Sequence, residues 1–74
     1  MSKLPVLKPT ELVRVLERIG FERIRQKGSH LYLRHPDGRA TVVPIHKGGD
    51  VPPGLLRAIL QDIELSREEF LDLL

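Results

Sequence analysis

The stretch His30-Leu31-Tyr32-Leu33-Arg34-His35 alternates polar and apolar side chains between two turn signals, Lys27-Gly28-Ser29 before it and Pro36-Asp37-Gly38-Arg39 after it. No other feature of the 74-residue chain constrains the fold as much. A period of two means a strand, with Leu31 and Leu33 on one face and His30, Tyr32 and Arg34 on the other. The turns send the chain back on both sides: proline presets φ and glycine supplies positive φ, so Ala40 to His46 returns as a hairpin partner. Phe21 to Gln26, rich in β-compatible and charged residues, supplies the strand before. Pro44 has no N–H to donate, which makes the last strand an edge or ends its pairing at Val43. The result is a three-stranded antiparallel sheet with one apolar face to be covered.

Helices supply the cover. Leu12, Val15, Leu16 and Ile19 lie on one stripe at helical spacing, which predicts a helix from about Glu11 to Ile19. Thr10, after Pro9, is placed to cap it, and Gly20 sits where a left-handed C-terminal residue is wanted. Leu56, Ile59, Leu60 and Ile63 form a second stripe behind Pro52-Pro53, predicting a helix over Pro53 to Asp62. Ser66-Arg67-Glu68-Glu69 is a capping box ahead of Phe70, Leu71 and Leu74, hence a short third helix. The expected class is α+β, in the order α-β-β-β-α with a short C-terminal helix and the helices on one sheet face. One domain spans residues 1–74. A chain this short buries only about 60 to 65 % of its unfolded surface, so a partner is an expected source of added stability.

Composition removes whole classes of function. With no cysteine there is no disulfide scaffold, thiol nucleophile or Cys-rich zinc module, and a reducing, cytoplasmic setting is expected. The N-terminal residues hold no continuous apolar run, and nothing later approaches the roughly 20 apolar residues of a membrane span, so the protein is expected to be soluble, unexported and without a membrane partner. The formal net charge of +2 hides a segregation. Residues 23–49 hold six Lys and Arg against Asp37 alone, together with all three histidines, whereas residues 50–74 hold two basic against six acidic side chains. The middle third is the candidate anion-binding surface, although charge alone favours the simpler reading of a solvated basic face with no ligand.

If the anion bound by the basic third is RNA, its cleavage without a metal needs a base for the 2′-hydroxyl proton, an acid for the 5′-oxygen and cations for the phosphorane. Histidine, with an ordinary pKa near 6.5, can accept and return protons at neutral pH. His30 follows a glycine turn, on the strand face that is not apolar, with Lys27 and Arg34 near it in sequence and Tyr32 on the same face to stack on a base or donate to a phosphate. By itself, an exposed strand histidine more simply has no role. His46, beside Lys47, fits a second acid, a phosphate contact or a loop-capping residue equally well. His35 shares the parity of Leu31 and Leu33 and is read as structural. No histidine pair has the spacing of a zinc site, so neither metal nor cofactor is expected. The start of the second helix offers donors to a phosphate, for which an Asp50 cap would compete. The acidic C-terminal segment is most simply a solvated face, with docking of a protein partner the alternative.

Gly28-Ser29-His30, His35-Pro36-Asp37-Gly38-Arg39, Val43-Pro44-Ile45-His46, Pro53-Gly54-Leu55-Leu56-Arg57 with Ile59-Leu60, and Ser66 with Glu68-Glu69-Phe70-Leu71 occur in that order. In this pattern, from about Leu12 to Leu74, the chain resembles the HicA (YcfA-like) toxins of type II toxin-antitoxin systems. The resemblance implies a double-stranded-RNA-binding-domain-like fold turned into an endoribonuclease, an mRNA interferase held inactive by a HicB-like antitoxin. It places the catalytic histidine of the Gly-Ser-His motif at His30. The residues expected to meet RNA are Lys27, Gly28, Ser29, Tyr32, Arg34, His46 and Lys47. One departure stands: members commonly close the helix after the Leu-Arg-x-Ile-Leu run with glycine, and Gln61-Asp62-Ile63-Glu64-Leu65 has none. A non-catalytic RNA-binding module of the same fold is the alternative, and a protein-binding scaffold the third possibility.

Overall fold

A computed structural model describes residues 3–45 and 49–74. Helix α1 spans Pro9–Arg18, strands β1, β2 and β3 span Glu22–Lys27, His30–Arg34 and Ala40–Pro44, and helices α2 and α3 span Pro53–Asp62 and Arg67–Leu71. The strands form one antiparallel sheet in the order β1-β2-β3. Pro44 therefore does lie on an edge strand, where its missing N–H leaves no broken ladder. This is the α+β arrangement of the double-stranded-RNA-binding-like fold.

Leu31 and Leu33 of β2 and Thr41 and Val43 of β3 face the helices and are buried, as are Leu12, Val13, Val15 and Leu16 of α1, Leu56, Ile59 and Leu60 of α2, and Phe70 of α3. Burying each such aliphatic side chain contributes about 1.5–3 kcal/mol. Thr41, the buried polar residue of this face, donates its hydroxyl to Asp62 Oδ2 at 3.0 Å, fastening β3 to the end of α2. The Val51 N–H donates to the Leu7 carbonyl at 2.8 Å and brings both residues into the same core. Strand β1 differs from the other two, being exposed at all six positions. Its charged side chains suit an edge that would otherwise invite pairing with another chain.

Helix α1 begins two residues earlier than the sequence predicts, and Thr10 is inside it rather than capping it. Proline at the first helical position loses a donor that has no intrahelical partner anyway. The Glu11 carboxylate then accepts the Lys8 N–H at 2.9 Å, which serves the reciprocal half of a cap. Asp50 does not cap α2. Pro52 is the N-cap and makes no side-chain cap bond, while Asp50 pairs with Lys8 at 3.3 Å. Two prolines at that end leave few free N–H groups to satisfy.

Gly20 ends α1 as expected, with φ +105°; its N–H donates to Glu17 O and that of Phe21 to Leu16 O. That is a Schellman motif. A Cβ at Gly20 would lie 2.7 Å from His35 Nε2, so the position needs glycine for space as well as for φ. Helix α2 ends the same way, with Glu64 N–H to Gln61 O and Leu65 N–H to Leu60 O. Here Glu64 takes the left-handed position at φ +57°. The helix exit is thus retained without the usual glycine, at a backbone cost of about 1 kcal/mol. Ser66 caps α3 as the sequence predicts: its hydroxyl accepts the Glu69 N–H at 3.0 Å and its N–H donates to Glu69 Oε1 at 2.8 Å. Those bonds hold the Glu69 carboxyl below the ordinary carboxylate range.

Candidate nucleic-acid interface

The sheet face away from the helices is where the chemistry-bearing residues gather. Gly28 and Ser29 make a two-residue turn, with Lys27 directly opposite His30. Gly28 has φ +59° and Ser29 does not share the positive φ, the pattern of a type II′ turn. A Cβ at Gly28 would meet nothing within 4 Å, so glycine is required there by backbone conformation rather than by space. The turn is tied down by Gln26 Nε2 donating to Gly28 O at 3.1 Å and by the Ile45 N–H donating to Ser29 O.

Residues paired across an antiparallel ladder share a face, so the register lays out the surface in rows. His30 is flanked by Lys27 and Pro44, Tyr32 by Arg25 and Val42, and Arg34 by Glu22 and Ala40. His30 and Arg34 are exposed and Tyr32 is half-buried, the reverse of Leu31 and Leu33 between them. Among the described residues the His30 ring has no hydrogen-bond partner, which leaves both nitrogens open to a ligand. The Arg25 guanidinium sits over the Tyr32 ring, 5.0 Å from its centroid.

A bulge decides which cations reach this face. Ile24 is the extra residue between Arg23, opposite Leu33, and Arg25, opposite Tyr32. Unbroken alternation would put Arg23, Arg25 and Lys27 together. The bulge instead turns Arg23 to the helix side, where its Nε lies 3.1 Å from Glu17 Oε2, and leaves Ile24 exposed. Arg39 is committed elsewhere as well: it pairs with Asp37 at 2.8 Å, donates to Ile63 O at the end of α2, and lies over the Phe21 ring. Of the described basic residues in the middle third, Arg25, Lys27 and Arg34 thus remain for the open face. Arg34 stands four residues from His30, about 13 Å along the strand at 3.3 Å per residue, and faces Glu22. That separation is too long for the two side chains to share one small anion. Arg25, one row from His30, is the open-face cation that sequence reasoning does not single out. Antiparallel pairing through the Gly28-Ser29 turn carries the signal, since it sets the second residue before Lys27 opposite Tyr32. His46 and Lys47 lie outside the described residues.

His35 is occupied on every side. Its Nε2 lies 3.0 Å from the Ile19 carbonyl, its Nδ1 accepts the Asp37 N–H at 3.1 Å, and its ring meets Phe21 edge-on at 5.2 Å. The same Nδ1 also lies 3.1 Å from Asp37 Oδ1. The Pro36-Asp37-Gly38 turn closes beside it, with Gly38 N–H to His35 O at 2.9 Å and His35 N–H to Arg39 O at 2.8 Å. The Arg39 N–H and guanidinium hold the Asp37 carboxyl below its ordinary range. Among the described residues no three His, Asp or Glu side chains are grouped to share a metal ion. No helix among them is long and apolar enough to cross a membrane.

Compared with known families, residues 9–65 match the model described as the HicA toxin of bacterial toxin-antitoxin systems. The chain belongs to the HicA toxin family. The match runs from the first residue of α1 to just past the left-handed end of α2, so it takes in the whole sheet and the open face of this HicA protein. No curated protein matches the chain at a significant level.

Proposed function

We propose that this HicA protein is a metal-independent endoribonuclease that cleaves mRNA through His30 and is neutralised by a HicB-like antitoxin covering the open sheet face. The observation that carries this reading is His30, with no hydrogen-bond partner among the described residues, placed directly opposite Lys27 on the basic face of a toxin-family sheet. In the cleavage, the 2′-oxygen attacks the adjacent phosphorus and the bond to the 5′-oxygen breaks. The products are a 2′,3′-cyclic phosphate and a 5′-hydroxyl. One proton leaves the 2′-hydroxyl and one arrives at the 5′-oxygen; His30 serves one of these transfers, and water or His46 the other. Positioned acid–base catalysis of this kind contributes about 10²- to 10⁴-fold. The Lys27 ammonium, one strand away, offsets the charge that builds on the phosphorane. Arg34 binds a neighbouring phosphate and helps set the register of the chain.

Expression of wild type and His30→Ala in the same host tests the reading. Growth arrest and RNA breakdown are expected with wild type alone, and arrest by the His30→Ala protein overturns the role of His30. Purified wild-type protein that binds RNA and leaves it intact would instead establish a binding module of the same fold.

A further inference from the structure

We infer that Arg25 and Tyr32 together form a stacking platform for one unpaired base of the RNA, next to the row in which His30 and Lys27 meet the scissile phosphate. The inference rests on the RNA reading above and adds a residue and a role to it. Arg25 and Tyr32 are cross-strand partners, with the guanidinium over the phenol ring. Among the described residues Arg25 has neither an ion pair nor a hydrogen bond to compete with a ligand, unlike Arg23 and Arg39. A guanidinium already lying against an aromatic face is held at low entropic cost, and both planes are surfaces on which bases stack. On the other side of Tyr32 is Val42, half-buried and apolar, which suits a base edge rather than a phosphate. Successive rows on one strand face are about 6.6 Å apart, close to the spacing of successive phosphates in an extended single strand. One nucleotide thus spans about one row, which leaves the base next to a phosphate at the His30–Lys27 row within reach of the Arg25–Tyr32 row. A duplex keeps its bases stacked inside and cannot use such a platform, so the pair also selects unpaired RNA.

Binding measured in the His30→Ala background separates the platform from catalysis. The probes are a fluorescent 12-nucleotide single-stranded RNA and the same RNA with a run of abasic sites, followed by anisotropy at fixed salt. Arg25→Lys keeps the charge and removes the stacking plane. Stacking of a base on an aromatic platform is worth about 1–3 kcal/mol, so Arg25→Lys and Tyr32→Ala are each expected to weaken binding of the intact RNA about five-fold or more. Tyr32→Phe retains binding, and the abasic RNA binds all four proteins alike. Native-like binding of intact RNA by Arg25→Lys, or an equal loss on abasic RNA, overturns the platform and leaves Arg25 a point charge. Tight, base-dependent binding by a protein whose wild type never cleaves would overturn the catalytic reading while leaving the platform standing. No binding of either RNA overturns both.

Discussion

His30 and His35 are five residues apart at the two ends of the same strand region, and almost nothing else about them is alike. His30 faces open solvent beside Lys27, with no hydrogen-bond partner among the described residues. His35 points the other way, holding the Ile19 carbonyl with one nitrogen and the Asp37 N–H with the other, against the Phe21 ring. The same division runs through the arginines: among the described residues Arg25 meets only the Tyr32 ring on the open face, whereas Arg39 joins Asp37, Phe21 and the end of α2. A side chain whose donors and acceptors are satisfied internally contributes to the fold, and one whose groups are left open has them available for chemistry.

Exchanging the two histidines for alanine should separate activity from stability. His30→Ala is expected to lower RNA cleavage by about 10²-fold or more while unfolding at a denaturant concentration close to wild type. His35→Ala is expected to do the reverse, with cleavage per folded molecule unchanged. It forfeits two hydrogen bonds and an edge-on ring contact, roughly 2–3 kcal/mol, which for a chain of this size lowers Tm by about 8–20 °C. A stable His35→Ala protein would break the comparison.

The cations give a smaller contrast. Lys27→Ala should weaken RNA binding and reduce the slope of log affinity against log salt by about 1, without moving Tm. Arg39→Ala should leave that slope alone and cost about 1–2 kcal/mol of stability, read by urea titration. Smaller still is the gain at Glu64. Relieving its left-handed backbone with Glu64→Gly should stabilise the protein by about 0.5–1 kcal/mol and leave cleavage unaltered, since α2 ends far from the open face.

Acid should weaken the structural side through two carboxylates. Asp37 and Glu69 both have carboxyl pKa values lowered in the folded state, Asp37 chiefly by the Arg39 N–H and Glu69 by Ser66. A depressed folded pKa gives stability that is present above the unfolded value, near 4, and is lost as pH falls through the folded one. Stability is therefore expected to decline below about pH 4, with a shallower decline in Asp37→Asn and Glu69→Gln proteins.

Much of this division was legible before the structure, because β2 is buried on one face alone and its alternation assigns every residue from His30 to Arg34. The helical stripes and the Ser66 capping box were legible for the same reason: a period or a local hydrogen bond fixes them. What was not legible depends on contacts across the chain. The bulge at Ile24 sends Arg23 to Glu17, away from the open face on which Arg25 and Lys27 stay, and no local pattern marks it. Arg39 reads as one more cation until α2 is folded against it. The start of α1 is not fixed by the sequence because a threonine cap and a proline at the first helical position compete for the same turn, and Glu11 decides it by bonding back to Lys8. Glu64 shows a tertiary setting imposing a backbone conformation that the residue itself disfavours.

The most direct test of the account is to treat a defined single-stranded RNA with purified wild-type and His30→Ala proteins, without added metal, and to analyse the fragment ends. The account predicts 2′,3′-cyclic phosphate and 5′-hydroxyl ends from wild type and none from His30→Ala. Cyclic phosphate ends formed at an undiminished rate by His30→Ala would contradict it.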